Sequence, residues 1–217
     1  MKIMKKTVIA LAIAAFAATG AANAATVYNQ DGTKVELGGS ARIFLGKLGK
    51  DQRGDLVNDG SRIKINATHT LDNGLSAFVG YETRFNGTQT NAKGKSIQKQ
   101  SGSDTSFGGL TTNKLFVGFG FENVGKLSFG RQATTADDVL GDGLYYRSGD
   151  NNILTTGADK SIKFRSADFE GFSFGADYLF GNPNKVTAAK SYKNGAGVAA
   201  FYNYDFEKNH NIEFAAG

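Results

Sequence analysis

Hydrophobic and polar residues alternate along most of this chain with a period of two, and the clearest case is a hairpin. In Lys114–Phe121, Leu115, Val117, Phe119 and Phe121 fall on one face, with Phe116, Gly118 and Gly120 on the other. In Lys126–Arg131, Leu127 and Phe129 share a face opposite Ser128 and Gly130. Successive side chains of a strand point to opposite sides of its sheet, so one side here is apolar and the other mostly small or polar. The connection, Asn123-Val124-Gly125, is about as short as a hairpin permits. After Arg131, residues Gln132 to Asp159 show no sustained periodicity and hold five aspartates.

The same alternation predicts further strands. Val35, Leu37, Ala41, Ile43 and Leu45 oppose Glu36, Ser40 and Arg42, and residues 49–60 read as a polar loop. Ile63, Ile65, Ala67 and Leu71 then oppose Arg62, Lys64, Asn66 and Thr68. Asp72-Asn73-Gly74 is a tight-turn signal. Leu75, Ala77, Val79, Tyr81 and Phe85 face away from Ser76, Gly80, Glu82 and Arg84, and residues 86–109 form a long polar loop. Later strands run through Ile162–Arg165, Phe172–Phe180, Gly197–Phe206 and Ile212–Phe214. In all, about nine strands are predicted, the last of them only begun.

Connections alternate long and short, the long ones polar and the short ones minimal. A transmembrane antiparallel β-barrel shows that arrangement, with turns on one side of the membrane and loops on the other. Tyr81, Phe85, Phe121, Tyr178, Phe180, Tyr204 and Phe206 sit near strand ends, where an interfacial girdle belongs. A soluble secreted β-sandwich also alternates. Its two sheets have no reason to keep the long loops at one end.

The mean hydropathy of −0.30 does not exclude a membrane fold, because an alternating strand hides its lipid-facing half from any window average. Residues 1–24 read as a signal peptide: Lys2, Lys5 and Lys6 precede eleven apolar residues, Val8 to Ala18, and an Ala22-Asn23-Ala24 cleavage site. Eleven residues fall short of the roughly 20 a membrane-spanning helix needs. Removing three lysines and no acid takes the formal charge from +5 to +2, so the basic balance implies no nucleic-acid partner. The mature domain is expected over residues 25–217.

The chain resembles the trimeric general diffusion porins of Gram-negative outer membranes. The resemblance rests on the ordered set Ala25-Thr-Val-Tyr-Asn-Gln-Asp-Gly-Thr-Lys-Val-Glu-Leu37, Ser61-Arg62-Ile63, Tyr81-Glu82 before Phe85-Asn86, Val124-Gly125 leading to Phe129-Gly130-Arg131, and Phe164-Arg165-Ser166 before Phe169 and Gly171. It covers essentially the whole mature chain. It implies a homotrimer of sixteen-stranded barrels in contact with outer-membrane lipid and lipopolysaccharide, each with a third loop folded into the pore. It also implies passive diffusion of small hydrophilic solutes and ions. Through it, Arg62 matches a basic-wall arginine and Glu82 an acid on the strand approaching the constriction. Another wall base falls at Asn113 or Lys114, and alternation favours Lys114. The Pro-Glu-Phe-Gly-Gly segment common in the inward loop is missing here, leaving Asp138, Asp142 and Asp150 as acidic counterparts.

Alternation adds Arg42 and Lys64 to the inward basic patch with Arg62 and Lys114. Aspartates of the 132–159 loop facing that patch across a narrow aqueous gap would create a transverse field. Selection by size, polarity and charge needs no bound cofactor or metal. An enzyme reading has little material: His69 and His210 are the only histidines and there is no cysteine. Gly195-Ala-Gly197-Val-Ala-Ala200 copies a dinucleotide fingerprint but opens a strand rather than a βα unit. Asp137, Asp138 and Asp142 fit no EF-hand spacing. The unfinished last strand leads to the expectation of a fragment, since an open edge in lipid leaves backbone groups unsatisfied. The alternative is an eight-stranded barrel with a structural or adhesive role, which inward Gly, Ser and Ala would fill poorly.

Overall fold

The computed structural model describes residues 24–46, 54–58, 60–85, 109–140, 155–181, 194–207 and 210–217. Its strands are β1 (Ala25–Gln30), β2 (Thr33–Ser40), β3 (Ile43–Gly46), β4 (Asp55–Asn58), β5 (Arg62–Thr70), β6 (Leu75–Phe85), β7 (Leu110–Phe121), β8 (Gly125–Ala133), β9 (Gly157–Ser166), β10 (Phe172–Phe180), β11 (Asn194–Glu207) and β12 (His210–Ala216). A short helix, α1, spans Thr135–Leu140. Ten strands form one sheet in the order β1-β2-β5-β6-β7-β8-β9-β10-β11-β12, and β3 pairs with β4 alone. The sheet is an up-and-down meander, and ten strands exceed the eight of the small-barrel alternative. The expected signal peptide lies outside the described residues, apart from Ala24.

Three differences from the sequence reading have physical causes. β1 was not predicted, because its faces do not separate into polar and apolar. Its Asp31 (φ 51°) and Gly32 (φ 70°) form the left-handed pair of a type I′ hairpin turn, a signal available in Asp-Gly. The single strand predicted over residues 35–45 breaks after Ser40, where Arg42 bonds Ser61 through its main chain instead of continuing the ladder. The loop read over 49–60 contains β4, whose Leu56 pairs with Leu45 of β3. The main sheet therefore has ten strands rather than about nine.

The chain divides into two compact units. One comprises Met1–Ala67 with Gly80–Asn113, and the other Thr68–Val79 with Lys114–Gly217. In the second unit burial follows the alternation with inverted chemistry. Along β10, Ser173, Gly175, Asp177 and Leu179 are buried while Phe172, Phe174, Tyr178 and Phe180 are exposed. On β7, Gly118 and Gly120 are buried between the exposed Val117, Phe119 and Phe121. Among the described residues the buried hydrophobics are Ala158, Leu179 and Ala199, whereas 27 large apolar or aromatic side chains are exposed. A protein folded in water buries those side chains. Here the greasy side is the outside, as a strand facing lipid requires.

Aromatics mark two levels on this outer face. Tyr178 and Phe180 meet edge-to-face at 4.8 Å, and Tyr202, Tyr204 and Phe206 stack at 6.5 and 6.3 Å. Tyr178 stands beside Ala196, eight residues from Tyr204 along β11. At about 3.3 Å per residue and a tilt of about 40°, that separation is roughly 20 Å along a membrane normal. From Phe180 to Phe206 it is roughly 30 Å, so the two aromatic levels bracket the ~25 Å apolar band of outer-membrane barrels.

Candidate functional site

In the first unit, β5 and β6 bring Arg62, Lys64, Glu82 and Arg84 together. Residues two apart on a strand share a face, which explains both the 62/64 and the 82/84 pairs. Glu82 is the hub, with only 3% of its side chain exposed. Its Oε1 accepts hydrogen bonds from Arg84 Nε and Asn113 Nδ2, both at 2.7 Å. Lys64 Nζ lies 3.5 Å from Oε2, and Arg62 Nη1 lies 3.8 Å from Oε1. A buried carboxylate is tolerable only when paired and hydrogen-bonded, and here both conditions hold. The two short bonds at Oε1 carry the geometry, while the longer contact to half-exposed Lys64 adds little stability.

The surrounding main chain is fixed by polar side chains. Thr83 Oγ1 donates to the Thr111 carbonyl at 3.1 Å. Asn58, buried at the end of β4, donates to the Phe85 carbonyl at 2.6 Å and accepts from the Ser61 N–H at 2.9 Å. The Ser61 hydroxyl accepts from the Arg42 N–H at 2.9 Å. Arg42 is thus anchored beside the residue that precedes Arg62.

A second polar constellation occupies the second unit. Lys163 Nζ pairs with Asp138 Oδ2 at 2.8 Å and donates to the carbonyls of Ala133 and Thr134, each at 3.2 Å. Arg165 Nη1 lies 3.9 Å from the same Asp138 oxygen, and Arg165 Nη2 donates to Ser173 Oγ at 3.2 Å. Its guanidinium also sits 3.5 Å from the centre of the Phe201 ring, a favourable cation–π placement. At the start of α1, the Thr135 N–H donates to the Asp177 carboxylate. An anion at a helix N-terminus satisfies an otherwise unpaired donor and complements the helix dipole. Thr134 and Thr135 are fully buried, and α1 packs against β8, β10, β11 and β12. The space for it comes from small residues: a Cβ on Gly175 would lie 3.2 Å from Thr135 Cγ2. Small residues on this face seat a helix.

The structure thus brings together Arg62, Lys64 and Glu82 with Asn113, one of the two β7 candidates, and adds Arg84, to which the sequence assigns no role. Of the two β7 candidates, Asn113 is the one that reaches Glu82. Lys114 lies half-buried in the second unit, on the face of β7 that carries Gly118 and Gly120. Glu82 sits among the bases. Asp138 is held by β9, and Asp142 and Asp150 lie outside the described residues. No element was predicted over 135–140, yet Thr134-Thr135-Ala136-Asp137-Asp138 is a helix-start signal, a hydroxyl residue followed by acids in the first turn.

A sequence profile described as Gram-negative porin matches residues 10–217. The chain is 45% identical over 201 residues to the major outer membrane protein of Pasteurella multocida strain Pm70, covering 92% of this chain and 55% of that protein. Another Pasteurella multocida major outer membrane protein is 43% identical over 205 residues, covering 92% of this chain and 59% of the relative. The chain therefore spans little more than half the length of these relatives. Among solved structures, a loop L8 deletion mutant of OmpT, an outer membrane protein of Vibrio cholerae, superposes with a TM-score of 0.53 at 22% identity, over 81% of this chain and 50% of that one. Salmonella typhi OmpF in complex with daunomycin gives 0.53 at 21% identity, over 82% and 52%. With its apolar face outward, its polar face inward and a profile match across nearly its whole length, the chain belongs to the Gram-negative porin family of outer-membrane β-barrel proteins.

Proposed function

We propose that the whole protein forms a water-filled channel through which small hydrophilic solutes and ions diffuse passively, with no covalent step. The observation that carries this reading is the inverted sheet: its buried side is polar and holds a charged cluster around Glu82. A low-dielectric wall bearing fixed charge focuses a field on the lumen, and solutes are sorted by size, polarity and sign. Arg62 and Lys64 are the basic-wall residues in this reading. Arg42, Lys114 and the loop aspartates Asp138, Asp142 and Asp150 are further constriction candidates. Lys163 and Arg165 support the segment carrying Asp138.

The mature domain begins at residue 25 after removal of residues 1–24, and three copies assemble. An OmpT structure described as a trimer form, with a TM-score of 0.50 at 18% identity, shares the fold and supports that assembly by analogy. Lipopolysaccharide and outer-membrane lipid cover the aromatic-edged apolar face.

Planar-bilayer recording of the whole protein tests the proposal. Stable steps of open-pore conductance are expected. Replacing Arg62 and Lys64 together by Gln shifts the reversal potential in a KCl gradient toward cation preference. A membrane that stays silent, at protein levels giving full insertion, overturns the channel reading.

A further inference from the structure

Two phenylalanines stand on the polar side of the sheet in the second unit. Phe78 of β6 and Phe116 of β7 meet edge to face, with ring centres 6.4 Å apart and planes at 71°. Phe116 alternates with the outward Leu115 and Val117, so it shares its face with Gly118 and Gly120. A Cβ on Gly118 would run into the Phe78 ring, so that ring lies across the bare backbone of β7. Both rings are half-buried. On this side of the sheet their open surface meets water, and a flat apolar partner that covers it releases that hydration. Lysines flank the rings along β7. Lys114 precedes Phe116 by two residues on the same face, roughly 7 Å along a strand. Beyond Gly118, Lys126 stands opposite Gly120, and a Cβ on that glycine would lie 3.5 Å from Lys126 Cγ. Among the described residues no acid pairs with either ammonium.

From this geometry we infer that Phe78 and Phe116 form a stacking platform on the channel wall, flanked by Lys114 and Lys126, for small solutes that join a flat aromatic ring to an anionic group. The platform rests on the channel reading above. Each part of the solute has its counterpart. The ring stacks on an aromatic face held flat against the wall, in the offset or edge-to-face arrangements that aromatic pairs prefer. The anion meets an ammonium, a point charge on a long flexible stem that can follow it along the strand. Gly118 sets the geometry, because any side chain there would lift Phe78 off the wall. Neither contact is strong, since one aromatic pair and one exposed ion pair each contribute modestly. A conducting site needs that weakness: a solute must enter favourably and still leave.

The test is planar-bilayer recording of the whole protein, measuring block of current by naphthoate and, separately, by cyclohexanecarboxylate. The first probe carries both groups, and the second keeps the charge without an aromatic face. Native channels are expected to be blocked by naphthoate at a several-fold lower concentration than by cyclohexanecarboxylate. Phe116→Leu keeps an apolar side chain but loses the ring. It is expected to raise the blocking concentration of naphthoate roughly fivefold, within the range for one aromatic pair, and to leave block by cyclohexanecarboxylate unchanged. Phe78→Leu acts in the same direction. Lys114→Gln combined with Lys126→Gln weakens block by both probes. Phe119→Leu, on the outward face of the same strand and 53% exposed, leaves block by both unchanged. Equal block of native channels by the two probes, or none by either, overturns the platform. Native-strength block by naphthoate in both Phe→Leu variants, in channels of normal conductance, also overturns it. Absence of channels from the native protein overturns the channel reading itself, so the two failures are distinguishable.

Discussion

The carboxylate of Asp177 accepts the backbone N–H of Thr135, 42 residues earlier in the chain, and so ties the first turn of α1 to β10. A six-residue helix is too short to hold itself together in water. What holds it is the sheet beneath: Asp177 at its first residue and Lys163 on Asp138 one turn later. Removing that cap in Asp177→Ala is expected to cost about 1–2 kcal/mol, the usual range for losing a side-chain cap. Asp177→Asn keeps an acceptor oxygen and should recover part of the loss. The denaturant midpoint of detergent-folded protein measures both, and a midpoint unmoved by Asp177→Ala would show that α1 is held without this bond.

Val117 tests the solvent of the outer face. It is 53% exposed, so in a protein folded in water Val117→Arg would change stability by no more than about 0.5 kcal/mol. In a bilayer the same substitution near the midplane should cost about 2–4 kcal/mol. Folding equilibria in lipid vesicles separate the two cases, and a neutral result there would contradict a lipid-facing β7.

Gly130 tests the backbone of the central hairpin. It has φ 132° and lies where the β8–β9 pairing slips by a residue, the setting of a β-bulge. A Cβ there would run into the Leu115 carbonyl oxygen of β7. Gly130→Ala is therefore expected to destabilise by about 1–3 kcal/mol through strain. Unfolding curves that superpose on those of the native protein would contradict the strained geometry.

Glu82 tests the polar cluster. Glu82→Ala removes the acceptor shared by Arg84 and Asn113 and leaves cations crowded at one place. The expected cost is about 1–3 kcal/mol, the penalty for orphaned donors in a partly buried site. Thermal unfolding in detergent checks it, and full stability would mean the cations reach water without help from the acid.

The hairpin Leu110–Ala133 shows how much was legible. Side chains on a strand repeat every two residues, so Val117, Phe119, Gly118 and Gly120 could be assigned to faces from their order alone. Turns such as Asp72-Asn73-Gly74 were legible because few residues adopt the left-handed backbone seen at Asn73 (φ 60°) and Gly74 (φ 76°). β1 escaped because backbone pairing to β2, rather than a separated apolar face, forms it.

The sequence alone determined most of the strands, their two faces and the chemistry of each, because those follow from a local period and from turn residues a few positions apart. Tertiary structure alone decided that Asn113 rather than Lys114 meets Glu82, that Glu82 lies among bases, and that Asp177 caps a helix 42 residues away. Such facts depend on which residues of neighbouring strands stand side by side. Alternation says which way a side chain points and carries no information about its partner on the next strand.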